Sequence, residues 1–121
     1  VATIPLTNPT PASDALANMI YIGNSSGVSV INGTTNKVVA SINLFGPSRI
    51  DVNERTGMVY VAASDKVYVI NGTTNKVVDS ITTGVSLNEG LAVNSRSNIT
   101  YVSDSFNNVV WMIDANSNKV I

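Results

Sequence analysis

An all-β fold assembled from repeated four-stranded antiparallel meanders is predicted by three observations: a period of about 40 residues, four short β-rich runs in each period, and middle strands apolar on both faces. The period shows at two independent landmarks. Val30-Ile-Asn-Gly-Thr-Thr-Asn-Lys-Val-Val39 recurs as Val69-Ile-Asn-Gly-Thr-Thr-Asn-Lys-Val-Val78 and, more loosely, as Met112-Ile-Asp-Ala-Asn-Ser-Asn-Lys-Val-Ile121, at offsets of 39 and 43 residues. Met19-Ile-Tyr-Ile22, Met58-Val-Tyr-Val61 and Ile99-Thr-Tyr-Val102 step by 39 and 41.

In the clearest unit the runs are Ser48 to Asn53, Met58 to Ala63, Lys66 to Asn71 and Lys76 to Ile81, parted by Gly, Asn, Ser and Asp. The intervening loops are a few residues long, so neighbouring strands are antiparallel. The second and third runs, Met58-Val-Tyr-Val-Ala62 and Val67-Tyr-Val-Ile70, are apolar at successive positions instead of alternating, so both faces of the sheet require burial. A sheet covered on both sides lies between two others. Four strands per unit, this unit length and double-faced burial describe the blades of a β-propeller. An immunoglobulin-like sandwich neither repeats at a fixed period nor buries both faces of each sheet.

Blade 1 is expected over about 5–42, blade 2 over 43–81 and blade 3 over 82–121. The innermost strand of blade 1 is the least regular: where blade 2 has Arg49-Ile-Asp-Val-Asn53, blade 1 has Pro9-Thr-Pro-Ala-Ser-Asp-Ala-Leu16, and prolines weaken a ladder. At the connection from third to fourth strand, Asn32-Gly33 and Asn71-Gly72 place residues tolerant of positive φ where the chain reverses, and Asp114 caps its own turn through the carboxylate.

The Tyr-Val second strand followed by Val-Ile-(Asn/Asp)-x-x-x-Asn-Lys-Val-Val-x-(Ser/Thr)-Ile resembles the YVTN family of β-propeller repeats, over essentially the whole chain as three units. The literal Thr-Asn after Tyr-Val is replaced by Ala62-Ala63 and Ser103-Asp104, and Tyr21-Ile22 is followed by Gly23-Asn24. The resemblance implies the fold and says almost nothing about chemistry. It also implies an extracellular or cell-surface setting, because such repeats occur in surface-layer and secreted propellers.

Composition excludes several functions. Seven basic and eight acidic residues give a net charge of −1, without the dense cationic face of a nucleic-acid binder or a basic membrane patch. Charged residues make up 12% of the 121 positions, against about 25% in an average domain, so 16 Asn, 14 Ser and 11 Thr supply the polarity. No apolar run approaches the ~20 residues that a membrane-spanning helix needs, and no membrane insertion is expected. Without Cys there is neither a disulfide framework nor a thiolate metal site. Without His the usual general base, the commonest metal ligand and the serine-hydrolase relay are missing. No phosphate-cradling glycine loop, nucleophile elbow or Asp-x-Asp-x-Asp-Gly loop occurs. The expectation is a chain that is not an enzyme and needs no cofactor or metal.

The candidate site residues are few. Asp14, Asp51 and Glu89 fall on or just before the innermost strands, with Arg49 nearby, where they can reach the channel mouth as a cation or ligand site; the competing role is pairing with neighbours and water. Asp65 and Asp104, between second and third strands, are expected to form turns. Trp111 and Tyr68 lie inside third strands and are expected in the core, leaving Phe106 as the aromatic expected at the surface and in contact with any ligand. Asn24, Asn32, Asn71 and Asn98 each begin an Asn-x-Ser/Thr glycosylation sequon, a number that chance alone gives in a chain this rich in Asn, Ser and Thr.

Closed propellers typically have four to eight blades, so three leave two apolar faces to be covered. Val1-Ala-Thr-Ile4 matches Val39-Ala-Ser-Ile42, the end of an outer strand, and Asn118-Lys-Val-Ile121 matches Asn36-Lys-Val-Val39, its beginning. Residues 1–4 of a partner chain are therefore expected to complete the outer strand of blade 3, and two chains to form a homodimer closing a six-bladed ring. Because the chain starts at Val1, the rival expectation is a piece of a longer propeller. The function expected is a non-enzymatic extracytoplasmic structural or binding module, holding a protein or glycan on the loops between second and third strands and between blades. The alternatives are a half-propeller that assembles with no ligand of its own, and an enzyme or cofactor-binding propeller using the channel carboxylates.

Overall fold

The computed structural model describes residues 3–7, 9–83 and 90–121. These form strands β1 (Thr10–Asp14), β2 (Met19–Asn24), β3 (Gly27–Asn32) and β4 (Lys37–Asn43), then β5 (Pro47–Asn53), β6 (Met58–Ala63), β7 (Lys66–Asn71) and β8 (Lys76–Thr82). The third set is β9 (Gly90–Asn94), β10 (Ile99–Asp104), β11 (Val109–Asp114) and β12 (Lys119–Val120). Each set is one antiparallel meander with its strands in chain order. The blade 2 strands match the runs read from sequence to within one residue at either end.

Register places the tyrosine landmark on one rung in every blade: Ala12, Tyr21, Val30 and Ala40 in blade 1, Asp51, Tyr60, Val69 and Asp79 in blade 2, and Ala92, Tyr101 and Met112 in blade 3. The sheets stand side by side, with β1 next to β5 and β5 next to β9. Alternate residues of β6 and β7 then serve two cores. Val59, Val61 and Ile70 pack with Tyr21, Val28, Val30 and Ile42 of blade 1. Tyr60, Ala62, Val67 and Val69 pack with Val102 and Ile113 of blade 3. Each fully buried valine or isoleucine among them contributes roughly 1.5–3 kcal/mol.

Two local features differ from the sequence-based expectation. The prolines do not abolish β1, where Pro11 pairs with Ile22, because an innermost strand has a ladder on one side only. Gly33 and Gly72 are not the positive-φ residues of their turns; that conformation falls on Asn36, Asn75 and Asn118. Asn32 and Asn71 cap these turns as expected, each Oδ1 accepting two backbone N–H groups at 2.8–3.3 Å, and Asp114 Oδ1 accepts Asn116 N–H at 3.2 Å.

Candidate functional site

Antiparallel meanders send alternate connections to opposite ends. Turns 33–36, 54–57, 72–75, 95–98 and 115–118 share one end with the 15–18 turn, while 25–26, 44–46, 64–65 and 105–108 share the other. The first end is bound together. Gly33 N–H donates to Asn18 O (2.8 Å), Gly72 N–H to Gly57 O (2.9 Å) and Ala115 N–H to Asn98 O (3.0 Å). Across blades, Ala15 N–H donates to Glu54 Oε1 (3.1 Å), and Asn53 Nδ2 donates to Asn98 Oδ1 (2.6 Å). The Tyr60 hydroxyl of blade 2 lies 3.4 Å from Asn118 Oδ1 of blade 3. Burial pushes the Tyr60 hydroxyl above its ordinary pKa, as it does that of Tyr21, so both stay neutral.

The carboxylates expected at the channel mouth are occupied. Asp51 Oδ1 accepts Val52 N–H and Oδ2 accepts Val93 N–H, both at 2.8 Å, so this side chain ties β5 to β9 of the next blade. Buried Asp14 accepts Ala17 N–H at 3.1 Å. Exposed Arg49 donates from its guanidinium to Ser48 O at 2.7 Å. Glu89 lies outside the described residues. Among the described residues no group of three or more acidic side chains is placed to hold a metal.

Asp104 forms the turn expected of it: Oδ1 accepts Asn107 N–H (3.0 Å), and Oδ2 accepts Asn107 Nδ2 (2.9 Å) and Trp111 Nε1 (3.0 Å). The Asn107 side-chain bond, aided by the Asn107 backbone and the Trp111 indole and opposed by burial, holds the Asp104 carboxyl below its ordinary pKa. Trp111 also packs against the core between blades 2 and 3, and Tyr68 against that between blades 1 and 2. At Asp65 it is the main-chain carbonyl that accepts, from Thr83 N–H (2.9 Å) and Thr83 Oγ1 (3.1 Å).

Two glycosylation candidates are corrected. Asn24 and Asn98 are each 7% exposed, with Asn24 Nδ2 donating to Ser29 Oγ (3.0 Å) and Asn98 Nδ2 to Asn116 Oδ1 (2.8 Å), so the folded chain has no room for a glycan there. Asn32 and Asn71 lie half-buried at turns.

The opposite end carries the exposed aromatics. Phe106 is 84% exposed, as expected; Phe45 is equally so, and sequence reasoning missed it. Its signal was available, since Phe45 sits in a loop before Gly46, whose φ is +63°. The same end holds a depression of about 450 Å3 lined by Pro5, Leu6, Thr7, Asn24 and Ser26, with Thr7 Oγ1 and Ser25 Oγ hydrogen-bonded at 2.6 Å.

No family model matches the chain, and no curated protein sequence matches it. Among solved structures it is similar to Kuenenia stuttgartiensis hydrazine synthase (TM-score 0.84, 20% identity, 99% of this chain and 36% of that one). It is also similar to Saccharomyces cerevisiae Sqt1 (0.79, 12%, 97% and 34%) and Kluyveromyces lactis Hsv2 (0.66, 11%, 98% and 36%). The chain thus spans about a third of the length of these propeller proteins. Identities this low speak to fold alone. Three meanders with shared cores, superimposing on propellers over nearly their whole length, make this chain a three-blade β-propeller unit.

Proposed function

We propose that the chain is a non-enzymatic binding module of an extracytoplasmic propeller, which meets a protein partner through the end carrying Phe45 and Phe106. The carrying observation is the pair of phenylalanines, each 84% exposed, at the end opposite the turns that bond from blade to blade through Glu54, Asn98 and Asn118. Isolated exposed phenylalanines contribute nothing to folding, and large aromatic anchors dominate the energetics of binding surfaces. Occupation of Asp51 by two backbone amides weighs against channel chemistry. The extracytoplasmic setting rests on the YVTN resemblance alone.

A displayed-peptide selection on the immobilised chain tests the reading. Selected binders are expected to lose about tenfold or more in affinity for a Phe45→Ser/Phe106→Ser variant whose thermal midpoint is unchanged. Binders indifferent to that variant would overturn it.

A further inference from the structure

We propose that the open face of blade 3 takes the open face of blade 1 of a second copy, repeating the way blade 1 meets blade 2 and blade 2 meets blade 3. The two internal interfaces share one plan. On the face turned toward the next blade a tyrosine occupies the middle rung, and its hydroxyl reaches the next blade's turn from third to fourth strand. A Cβ on Gly72 would lie 2.7 Å from the Tyr21 hydroxyl, and the Tyr60 hydroxyl meets Asn118.

Blade 3 carries this face again, with Tyr101 between Ala92 and Met112 and with Ile99 and Val110 on the flanking rungs. No described blade lies on it, and it holds a shallow depression of about 310 Å3 lined by Gly90, Leu91, Ala92, Tyr101, Ser103 and Val110. Blade 1 carries the complementary face. Half-buried Ile20 and Ile22 stand at the rungs where blade 2 has Val59 and Val61, both fully buried against blade 1, while Ile31, at the Ile70 rung, is already 7% exposed within its own chain. Gly23, on the rung of Ser103, is covered by Ile50 and Pro47 of blade 2, and Pro11 stands at the Ile50 position of blade 1.

The outer edge points the same way. β12 pairs with β11 at Ile113 and Asp114, and Ile121 N–H reaches Met112 O, whereas Val109 and Val110 stand 44% and 60% exposed. The matching rungs of blades 1 and 2 are filled by Ile42 and Asn43 and by Ile81 and Thr82. The second copy's Thr3-Ile4 repeats Ser41-Ile42 in sequence and would fill the Trp111 and Val110 rungs; residues 1 and 2 of that expected strand lie outside the described residues. Two such contacts related by a two-fold axis close six blades, within the four-to-eight range of closed propellers, and a net charge of −1 per copy offers little repulsion.

Native mass spectrometry with sedimentation equilibrium tests the proposal. The unaltered chain is expected at twice 12.7 kDa, and Ile22→Lys and Tyr101→Lys each at 12.7 kDa, all with one circular dichroism spectrum. An equimolar mixture of the two variants is expected to form a 1:1 complex, because Ile22→Lys keeps a good blade 3 face and Tyr101→Lys a good blade 1 face. Tyr101→Phe, which removes only the hydroxyl, is expected to weaken the dimer several-fold. A monomer at ~100 μM of the unaltered chain, a dimer that survives Ile22→Lys, or a mixture without a complex would each overturn the proposal.

Discussion

Asn36, Asn75 and Asn118 hold the left-handed conformation of equivalent turns, joined by Asn18, Asn98 and Asn108 at others; this is one physical use of an asparagine-rich composition. Glycine at the neighbouring positions answers a different demand. A Cβ on Gly72 would meet Gly57 O at 2.6 Å, whereas a Cβ on Gly57 would meet nothing within 4 Å and face only the cost of a φ of +72°. Gly72→Ala is therefore expected to cost about 1–3 kcal/mol from overpacking and Gly57→Ala about 1–2 kcal/mol from backbone strain. Denaturant titration reads both, and crowding by the Tyr21 hydroxyl also requires that Tyr21→Phe and Gly72→Ala together cost less than the sum of the two single changes. Acid acts at the same scale. Asp104, held low first by the Asn107 side chain, and Asp114, held low first by the Ser117 hydroxyl, both stabilise the fold above the unfolded carboxylate pKa. That stability is lost as pH falls from about 4 toward their lower folded values. Asp104→Asn is expected to unfold more easily at pH 7 and to lose less further stability on acidification, measured as the thermal midpoint against pH.

Asp51 shows how one side chain joins two elements. Its carboxylate receives an amide from its own strand and another from β9, so the innermost strands of adjacent blades are fixed in height. Asparagine there offers one oxygen to two donors and turns an N–H toward the other, so Asp51→Asn is expected to destabilise by about 1–3 kcal/mol, read by chemical unfolding; an unchanged midpoint would remove the clamp role. The outer strands follow another rule. Register slips between Val30 and Ile31 and between Val69 and Ile70 leave Val39 and Val78 bulged and 52% exposed, so valines that look like core in sequence face solvent.

Across the whole molecule, blade 2 is the only described blade sandwiched between two others, and it holds most of the side chains removed completely from water. Blades 1 and 3 each have one such partner. The chain spans only about a third of the propellers it resembles in shape, and no described blade lies on the outer faces of blades 1 and 3. Polar Asp51 on the innermost strand β5 is used internally, whereas Phe45 and Phe106 stand exposed at the end formed by the 25–26, 44–46, 64–65 and 105–108 connections.

The repeat, the strand limits of blade 2, the antiparallel order and the double-faced burial were legible in the chain alone, because each depends on the local run of apolar residues and on turn chemistry within about 40 residues. Phe106 was legible for the same reason, lying in a polar stretch between two strands. Only the tertiary structure decided that Asp51 would be spent on Val93, that Asn24 and Asn98 would be buried and that Gly72 would face Tyr21. Those outcomes depend on distances between side chains and backbone set by how strands and blades pack, and local pattern carries no record of such distances.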